Sequence, residues 1–439
     1  LKGTKEGCAS GDCGACTAVI AEVKNNKLKY ISINTCITLL YTLHSKQLLT
    51  VEHVESKYLH PVQQSMVDND GAQCGFCTPG FIMSMYAMHK NKINPTNSNI
   101  NRYLSGNLCR CTGYRPIKDA LKNLKKYKSL NSDSLPILKK LKRIKLNDVV
   151  LINNKSKFFI HKNLKTFKKD FIKSNNPSLL VGGTDLSLEI TKKRKNLEEI
   201  FYLGQNIDLN FVRVKQDNLH IGAATPINDI LESLKKYYPE FYEMFERYGS
   251  EQIRNVASLG GNIGSASPIG DSLPVLISLD TKLILDGNKS RKIAMSDYFV
   301  GYRQTKLRKK EFIKEIIIPL KSKDNTLKCY KISKRIDDDI SSVFMAINTE
   351  IKNDKFKTIK IVCGGMAAFP KIAKKTQNYL KNKKVDIDNI AKAKKIISRE
   401  FLPLSDVRSS KNYRTKIVSN LLDRFWHEYN NKKVTIYDY

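Results

Sequence analysis

Cys8-Ala9-Ser10-Gly11-Asp12-Cys13-Gly14-Ala15-Cys16, completed by Cys36, sets four cysteines in the spacing C-x4-C-x2-C…C. This is the plant-type ligand pattern of a [2Fe–2S] cluster. Three thiolates come from one tight loop and the fourth closes the site from elsewhere. Gly7, Gly11 and Gly14 let the backbone turn sharply and approach the sulfurs. The competing reading is a structural zinc site, but zinc usually takes two C-x2-C pairs.

Further along, Cys74 and Cys77 form C-x2-C, and Cys109 and Cys111 form C-x-C after a 31-residue spacer. That spacer fits a helix pair that brings the second ligand pair back to the first. Taken alone, this set suits zinc or a cluster. Beside the first set it reads as a second [2Fe–2S] cluster, and two one-electron carriers in series make a short wire. Eight of the ten cysteines therefore fall within the first 111 residues of a 439-residue chain. Cys329 and Cys363 stand apart and read as small buried hydrophobes. A disulfide framework belongs to small secreted domains and does not suit this chain.

Residues 1–55 read as glycine-rich loops with β-type runs such as Leu28–Ile33. Residues 56–130 read as helical, with Pro79 and Pro116 at helix starts. Phe81, Met85 and Met88, and Ile117, Leu121 and Leu124, recur at helical spacing and imply packing between helices. Residues 131–155, rich in Ser, Asn, Lys and Leu without clear period, read as a linker. From 156 strands and helices alternate: Leu179–Val181, Ile316–Ile318 and Ile359–Val362 read as strands, Lys371–Leu380 and Tyr413–Tyr429 as helices. The expected organisation is an α+β multidomain chain, with a domain at 156–325 and another at 326–439.

The composition, 41% hydrophobic and 27% charged, supports real cores. No apolar run is long enough to span a bilayer and no signal segment opens the chain, so the expectation is a cytoplasmic protein with no membrane role. The net charge of +34 comes from lysines scattered throughout, not from a basic stripe. A basic metal-binding protein that contacts nucleic acid is the alternative from a different class, and the scatter argues for no nucleic-acid partner.

There is no G-x-G-x-x-G and no P-loop. Instead, Leu179, Leu180, Val181, Gly182, Gly183, Thr184, Asp185 and Leu186 form one glycine-rich segment, and Ser258, Leu259, Gly260, Gly261 and Asn262 form another. Two such loops at strand ends can offer backbone amides to a pyrophosphate. Thr184, Ser258, Asn262 and Ser265 add neutral donors, and Asp271 can accept from ribose hydroxyls.

Thr4–Cys8, Gly11–Cys16, Gln73–Gly80 and Gly106–Tyr114 resemble the iron–sulfur segments of the molybdenum hydroxylases, a family that includes xanthine dehydrogenases, aldehyde oxidases and carbon monoxide dehydrogenases. The later motifs resemble the same family's FAD-binding domain. The resemblance implies a ferredoxin-like β-grasp domain, a helical-bundle [2Fe–2S] domain, a two-lobed FAD-binding domain and a small C-terminal α/β domain. It implies that the segments 179–186 and 258–262 hold the FAD phosphates and sugar, with Tyr248 near the adenine and Ile313 and Lys331 beside the cofactor. Tyr330–Ile340 resembles the family loop near the flavin ring and the NAD+ entrance.

By the same resemblance the chain is the iron–sulfur/FAD small subunit of a bacterial two-subunit xanthine dehydrogenase, an enzyme of purine catabolism. Molybdopterin then sits on a large partner subunit, in a heterotetramer or larger assembly, with NAD+ as acceptor. No side chain here is assigned as a catalytic acid or base. A related aldehyde or N-heterocycle hydroxylase is the alternative. The chain starts at Leu1 and the first motif follows at once, which reads as an incomplete N-terminus. Strands of the ferredoxin-like sheet are then expected to be missing, with a hydrophobic face left bare.

Overall fold

The computed structural model describes residues 2–54, 58–127, 134–144, 146–153, 156–322 and 324–432. Their contacts divide the chain into two compact units. One comprises Leu1–Asp208, Pro226–Asn228 and Gly249–Ser258; the other comprises Leu209–Thr225, Asp229–Tyr248 and Leu259–Tyr439.

The first unit opens with an antiparallel hairpin, Thr17–Lys24 against Lys27–Asn34, joined by Asn25 and Asn26. Both asparagines have positive φ, 48° and 62°, the conformation that a tight two-residue hairpin requires. Gln47–Leu49 adds a third strand beside Thr17–Lys24. Alternation then sorts the side chains. Val19, Ala21 and Tyr30 pack against the helices that follow, and Ile20, Ile31 and Ile33 pack against Leu43 and Val256. Val19 and Ala21 are 0% exposed and Ile20 is 3% exposed, so the expected bare face is covered on both sides. The cover comes from residues distant in sequence, which local reading could not supply.

Four helices form the adjoining bundle: Pro61–Asp68, Thr78–Lys90, Asn97–Leu104 and Arg115–Asn123. Pro79 and Pro116 lie in their first turns, where a missing N–H costs nothing. Thr78–Lys90 is the central helix. Phe81, Met85 and Met88 are buried as their spacing implies, but so are Ile82, Met83, Tyr86 and Ala87, so it is enclosed rather than amphipathic.

The stretch read as a linker is structured where it is described. Leu135–Arg143 is a helix that buries none of its residues, and Val149–Asn153 is a strand paired with Ser156–Ile160. Its apolar run, Val149–Ile152, is short and flanked by Asn, Asp and Lys, which hid the strand. Residues 131–133, 145, 154 and 155 lie outside the described residues. The resulting sheet has the order Val149–Asn153, Ser156–Ile160, Glu199–Tyr202, Pro177–Leu180, its last three strands parallel. Helix Leu164–Lys173 provides the crossover and buries Phe167 and Phe171.

Besides the small antiparallel pair Phe299–Gly301 and Gln304–Thr305, the second unit holds two larger antiparallel sheets. One has the order Arg291–Ala294, Lys282–Asp286, Phe312–Pro319, Asn218–Gly222, Val212–Lys215. The other runs Asn325–Ile332, Val343–Lys352, Lys355–Gly364, Lys371–Ile372. Helices Ile387–Glu400 and Lys411–Tyr429 share a core with that sheet through Ile390, Ile397, Val418, Leu422 and Phe425. The helix expected over 371–380 begins at Lys374, because Lys371 and Ile372 pair with Cys363 and Val362 as an edge strand. The whole is a mixed α/β multidomain architecture. No described helix is long and apolar enough to cross a membrane.

Candidate functional site: two cysteine quartets and the glycine-rich segments

The first quartet is held by a loop closed by Lys5 N–H donating to the Ala15 carbonyl at 3.3 Å. Gly11 and Gly14 have φ of +81° and +71°, left-handed turns that other residues rarely make. A side chain at Gly7 would put its Cβ 2.9 Å from Cys13 Sγ. Asn34, from the hairpin, donates to the Gly11 carbonyl at 2.7 Å and pins the loop over the strand.

The thiols stand in pairs. Cys16 Sγ lies 3.3 Å from Cys36 Sγ, and Cys8 faces Cys13. The backbone amides of Asp12 and Cys13 lie 3.3 and 3.4 Å from Cys8 Sγ. Burial pushes the Cys8 thiol up, but hydrogen bonds from Ser10 and from the backbone of Cys13, Ser10 and Asp12 outweigh it, to about 6. The hydrogen bond with Cys36 brings Cys16 down to about 7 against its burial. Burial, followed by Cys8, raises Cys13, while Cys16, followed by burial, raises Cys36. Each pair thus has one sulfur biased to the thiolate.

The second quartet is built at helix ends. Cys77 immediately precedes helix Thr78–Lys90, and its carbonyl accepts from Phe81 N–H at 3.2 Å. Cys109 and Cys111 precede helix Arg115–Asn123. Thr112 contacts Cys109 Sγ through its hydroxyl at 3.2 Å and its amide at 3.5 Å, and the Tyr114 hydroxyl accepts from Cys109 N–H at 3.1 Å. Cys74 pairs with Cys111, and Cys77 with Cys109. Burial raises Cys77 to about 12, helped by Cys109. Cys74 and Cys111 are exposed, and Phe76, Leu108 and Tyr114 are exposed apolar side chains from the same loops.

The two loops touch directly. Leu108 N–H, one residue before Cys109, donates to the Cys13 carbonyl at 3.0 Å. A Cβ on Gly14 would lie 2.2 Å from the Gly106 carbonyl oxygen, and one on Gly80 would lie 2.2 Å from the Gly14 oxygen. Among the described residues no three Cys, His, Asp or Glu side chains converge on a point suited to a lone metal ion. Four sulfurs standing as two pairs are the donor set of a two-iron cluster, one pair to each iron. Both quartets fit such a cluster in donor chemistry.

Also in the first unit, Leu179 and Leu180 end strand Pro177–Leu180, and Val181–Leu186 is the loop after it. A Cβ on Gly182 would lie 2.2 Å from the Val256 oxygen, and Gly183, at φ +74°, lies against Ile37 O, where a Cβ would come to 2.9 Å. Helix Ser187–Thr191 follows, and Thr191 Oγ1 donates to the Ala9 carbonyl at 2.9 Å while Lys192 Nζ donates to that of Cys8. The glycine-rich loop is therefore tied to the first quartet's loop. Ser187 Oγ is buried beside Gly183 with no hydrogen-bond partner among the described residues, an orphan that a bound polar ligand would satisfy. Thr184 is half-buried and Asp185 exposed. Ser258 is buried and bridges Pro226.

In the second unit the other glycine-rich segment departs from expectation. Leu259, Gly260, Gly261 and Asn262 are helical, in Leu259–Ser265, rather than a loop at a strand end. Gly260 permits the approach, since a Cβ there would lie 2.4 Å from the Ala223 oxygen. Ile313 lies beneath this helix on strand Phe312–Pro319, its Cδ1 3.9 Å from where a Gly264 Cβ would stand. Ser265, expected as a free donor, gives its hydroxyl proton to the Asn262 carbonyl at 3.0 Å, and Asn262 Oδ1 accepts from Ser272 at 2.5 Å.

Lys331 and Asp271, expected to face a cofactor separately, are paired at 2.5 Å, with side chains 2% and 5% exposed. Lys331 also donates to the Asp339 carbonyl at 2.8 Å and lies 3.3 Å from Ser341 Oγ. Asp271 Oδ1 is buried without a partner among the described residues, so one acceptor remains for a ligand. Tyr248 is half-buried, its ring 5.4 Å from that of Phe245. Ser187 Oγ in the first unit and Asp271 Oδ1 in the second are each of the polar chemistry that a dinucleotide's hydroxyls and phosphates can meet.

Sequence reasoning missed Gln252, Asn107, Ser84 and Thr17, a buried cluster of polar side chains behind the quartets. Asn107 lay within the segment Gly106–Tyr114, but no local signal marked its contact with Gln252.

Comparison with known proteins identifies three domains. Residues 50–122 match a [2Fe-2S] binding domain, 155–321 the FAD binding domain in molybdopterin dehydrogenase, and 328–429 the CO dehydrogenase flavoprotein C-terminal domain. Xanthine dehydrogenase of Emericella nidulans is 30% identical over 496 residues, covering 98% of this chain and 36% of that protein. Xanthine dehydrogenase/oxidase of Mus musculus is 31% identical over 424 residues, covering 84% and 32%. The chain thus spans about a third of the length of the curated relatives it matches. Reconstituted CO dehydrogenase from Oligotropha carboxidovorans shares the fold over 62% of this chain and 97% of that one, with a TM-score of 0.58 and 23% identity. Iron–sulfur and flavin domains in this order, with kinship to xanthine dehydrogenases along nearly the whole sequence, mean that the chain belongs to the molybdenum hydroxylase family.

Proposed function

We propose that this chain is the electron-transfer subunit of a xanthine dehydrogenase. It takes electrons from a molybdenum centre on a partner subunit, through two [2Fe–2S] clusters to FAD, and on to NAD+. The observation that carries this reading is the pairing of eight thiols in two quartets, whose loops are joined by the Leu108–Cys13 hydrogen bond. Clusters supply one-electron chemistry and FAD converts it to the two-electron chemistry of NAD+.

The chain's own residues fix position and access. Cys8, Cys13, Cys16 and Cys36 hold one cluster; Cys74, Cys77, Cys109 and Cys111 hold the other. Each within its own unit, the segment 179–186 with Ser258, and the segment 259–262 with Tyr248, Ser265, Asp271, Ile313 and Lys331, supply the groups that would bind FAD. In that role Asp271 Oδ1, which has no partner among the described residues, would accept from the cofactor while Lys331 holds the carboxylate in place. The exposed Cys74 and Cys111, with the exposed Phe76, Leu108 and Tyr114 from the same loops, suit docking of the molybdopterin-binding subunit at the second quartet. Kinship with proteins named xanthine dehydrogenase supports a purine substrate, which the partner's pocket would select.

Co-purification with the molybdopterin-binding partner tests the proposal. The expected product contains about four irons and one FAD per chain and reduces NAD+ when given xanthine. A complex with full cofactor content that oxidises an aldehyde or another N-heterocycle, but not xanthine, would overturn the substrate assignment.

A further inference from the structure

We propose that Gln252 is the positioning residue that sets the spacing, and with it the electronic coupling, of the two cysteine quartets. The inference rests on the reading of the quartets as clusters.

Gln252 is fully buried on the short helix Glu251–Arg254. Its side-chain amide nitrogen lies 3.0 Å from Asn107 Oδ1, 3.2 Å from Ser84 Oγ and 3.3 Å from Thr17 Oγ1. Thr17 directly follows Cys16. Ser84 lies on the helix that begins after Cys77, and Asn107 stands two residues before Cys109. One amide therefore touches side chains that neighbour both quartets in sequence.

The partners bind one another as well. Ser84 donates to Asn107 Oδ1 at 2.7 Å, and Asn107 Nδ2 donates to the Gly14 carbonyl at 3.2 Å. Thr17 donates to the same Gly14 oxygen at 2.6 Å. All four side chains are at most 3% exposed, so water cannot substitute for a lost partner. The fit is tight, since a Cβ on Gly106 would lie 2.3 Å from Gln252 Oε1. That oxygen has no partner among the described residues. A buried carbonyl without a donor is costly, a cost that an apolar filler would avoid. The retained amide is thus accounted for by its donors, which fasten one loop to the other.

The transfer that depends on this contact moves one electron. Clusters held by the two quartets would supply one-electron chemistry, with no bond or proton exchanged between them. Leu108 N–H to the Cys13 carbonyl and Asn107 Nδ2 to the Gly14 carbonyl both join the two loops, and Asn107 belongs to the polar cluster that Gln252 holds.

The test compares the cofactor-loaded full chain with Gln252→Met, which keeps the volume and removes the donors. Two measurements are made: low-temperature electron paramagnetic resonance of the reduced protein, and hydrogen exchange at the Leu108 amide. The expected result is unchanged iron content and unchanged separate cluster signals. The splitting from spin–spin interaction is lost or narrowed, and Leu108 exchanges about fivefold to tenfold faster. A merely structural role would not move the splitting while both signals persist. Ser84→Ala removes one acceptor and gives the same change in smaller measure, which decides the matter if Gln252→Met does not fold. Unchanged splitting and exchange, with both signals present, would overturn the inference alone. Absence of both signals from the unaltered protein would overturn the cluster reading and the inference together.

Discussion

Gly80→Ala should destabilise the protein although local propensity says the reverse. Gly80 lies in the first turn of helix Thr78–Lys90 and does not have a positive φ. In an ordinary helix, Gly→Ala stabilises by about 1 kcal/mol. Here the new Cβ would lie 2.2 Å from the Gly14 carbonyl oxygen and 3.0 Å from Asn107 Nδ2. The obstacle is backbone, held in turn by Thr17 and Asn107, so it cannot rotate away. Overpacking of this kind costs about 1–3 kcal/mol, occasionally more, and loss of the Asn107–Gly14 hydrogen bond adds about 1 kcal/mol. The net is a destabilisation of about 1–3 kcal/mol.

The control is Gly75→Ala, at φ +78° with no atom within 4 Å of the added Cβ, which carries only the conformational cost of about 1 kcal/mol. Because a chain of two compact units need not unfold in one step, the assay is hydrogen exchange of the central helix rather than a single melting curve. Faster exchange across Phe81–Met88 in Gly80→Ala than in Gly75→Ala is expected. Slower exchange than in the unaltered protein would refute the close approach of the two loops.

Other predictions concern separate parts of the molecule. His60 Nδ1 accepts from Val62 N–H at 3.3 Å and caps helix Pro61–Asp68, while burial, followed by the charges of His89 and Lys90, holds its pKa down to about 4. Because the unfolded chain takes up the proton first, this contribution is complete above about pH 6.5 and is lost as pH falls toward 4. Its size is of order 3 kcal/mol; His60→Gln should flatten the pH dependence of urea unfolding followed by the helix signal. Lys331→Met leaves Asp271 buried and unpaired and should cost about 3–5 kcal/mol, most of it recovered in the double variant with Asp271→Leu, as read by hydrogen exchange of the second unit. Cys111→Ser should lower iron from about four to about two per chain while the first quartet's signal persists, measured by metal analysis and paramagnetic resonance.

Cysteine spacing made both quartets legible, because ligand geometry is written into a few neighbouring residues. Proline position and helical spacing did the same for Thr78–Lys90 and Arg115–Asn123. Strand Val149–Asn153 was not legible, since its place in the sheet is set by pairing with Ser156–Ile160 and not by its flanks. The cover over Ile20, Ile31 and Ile33 comes in part from Val256, more than two hundred positions away. The pairing of Lys331 with Asp271, and the meeting of Gln252 with Asn107, Ser84 and Thr17, are likewise long-range contacts. A polar residue in sequence shows what it can bond to but not which partner the fold delivers.

Iron and acid-labile sulfide analysis of the purified chain, combined with Mössbauer spectroscopy, tests the central claim most directly. The account predicts about four irons and four sulfides per chain, every iron in a tetrahedral sulfur environment and all divided between two distinct clusters. Zinc in place of iron, or iron without labile sulfide, would contradict it.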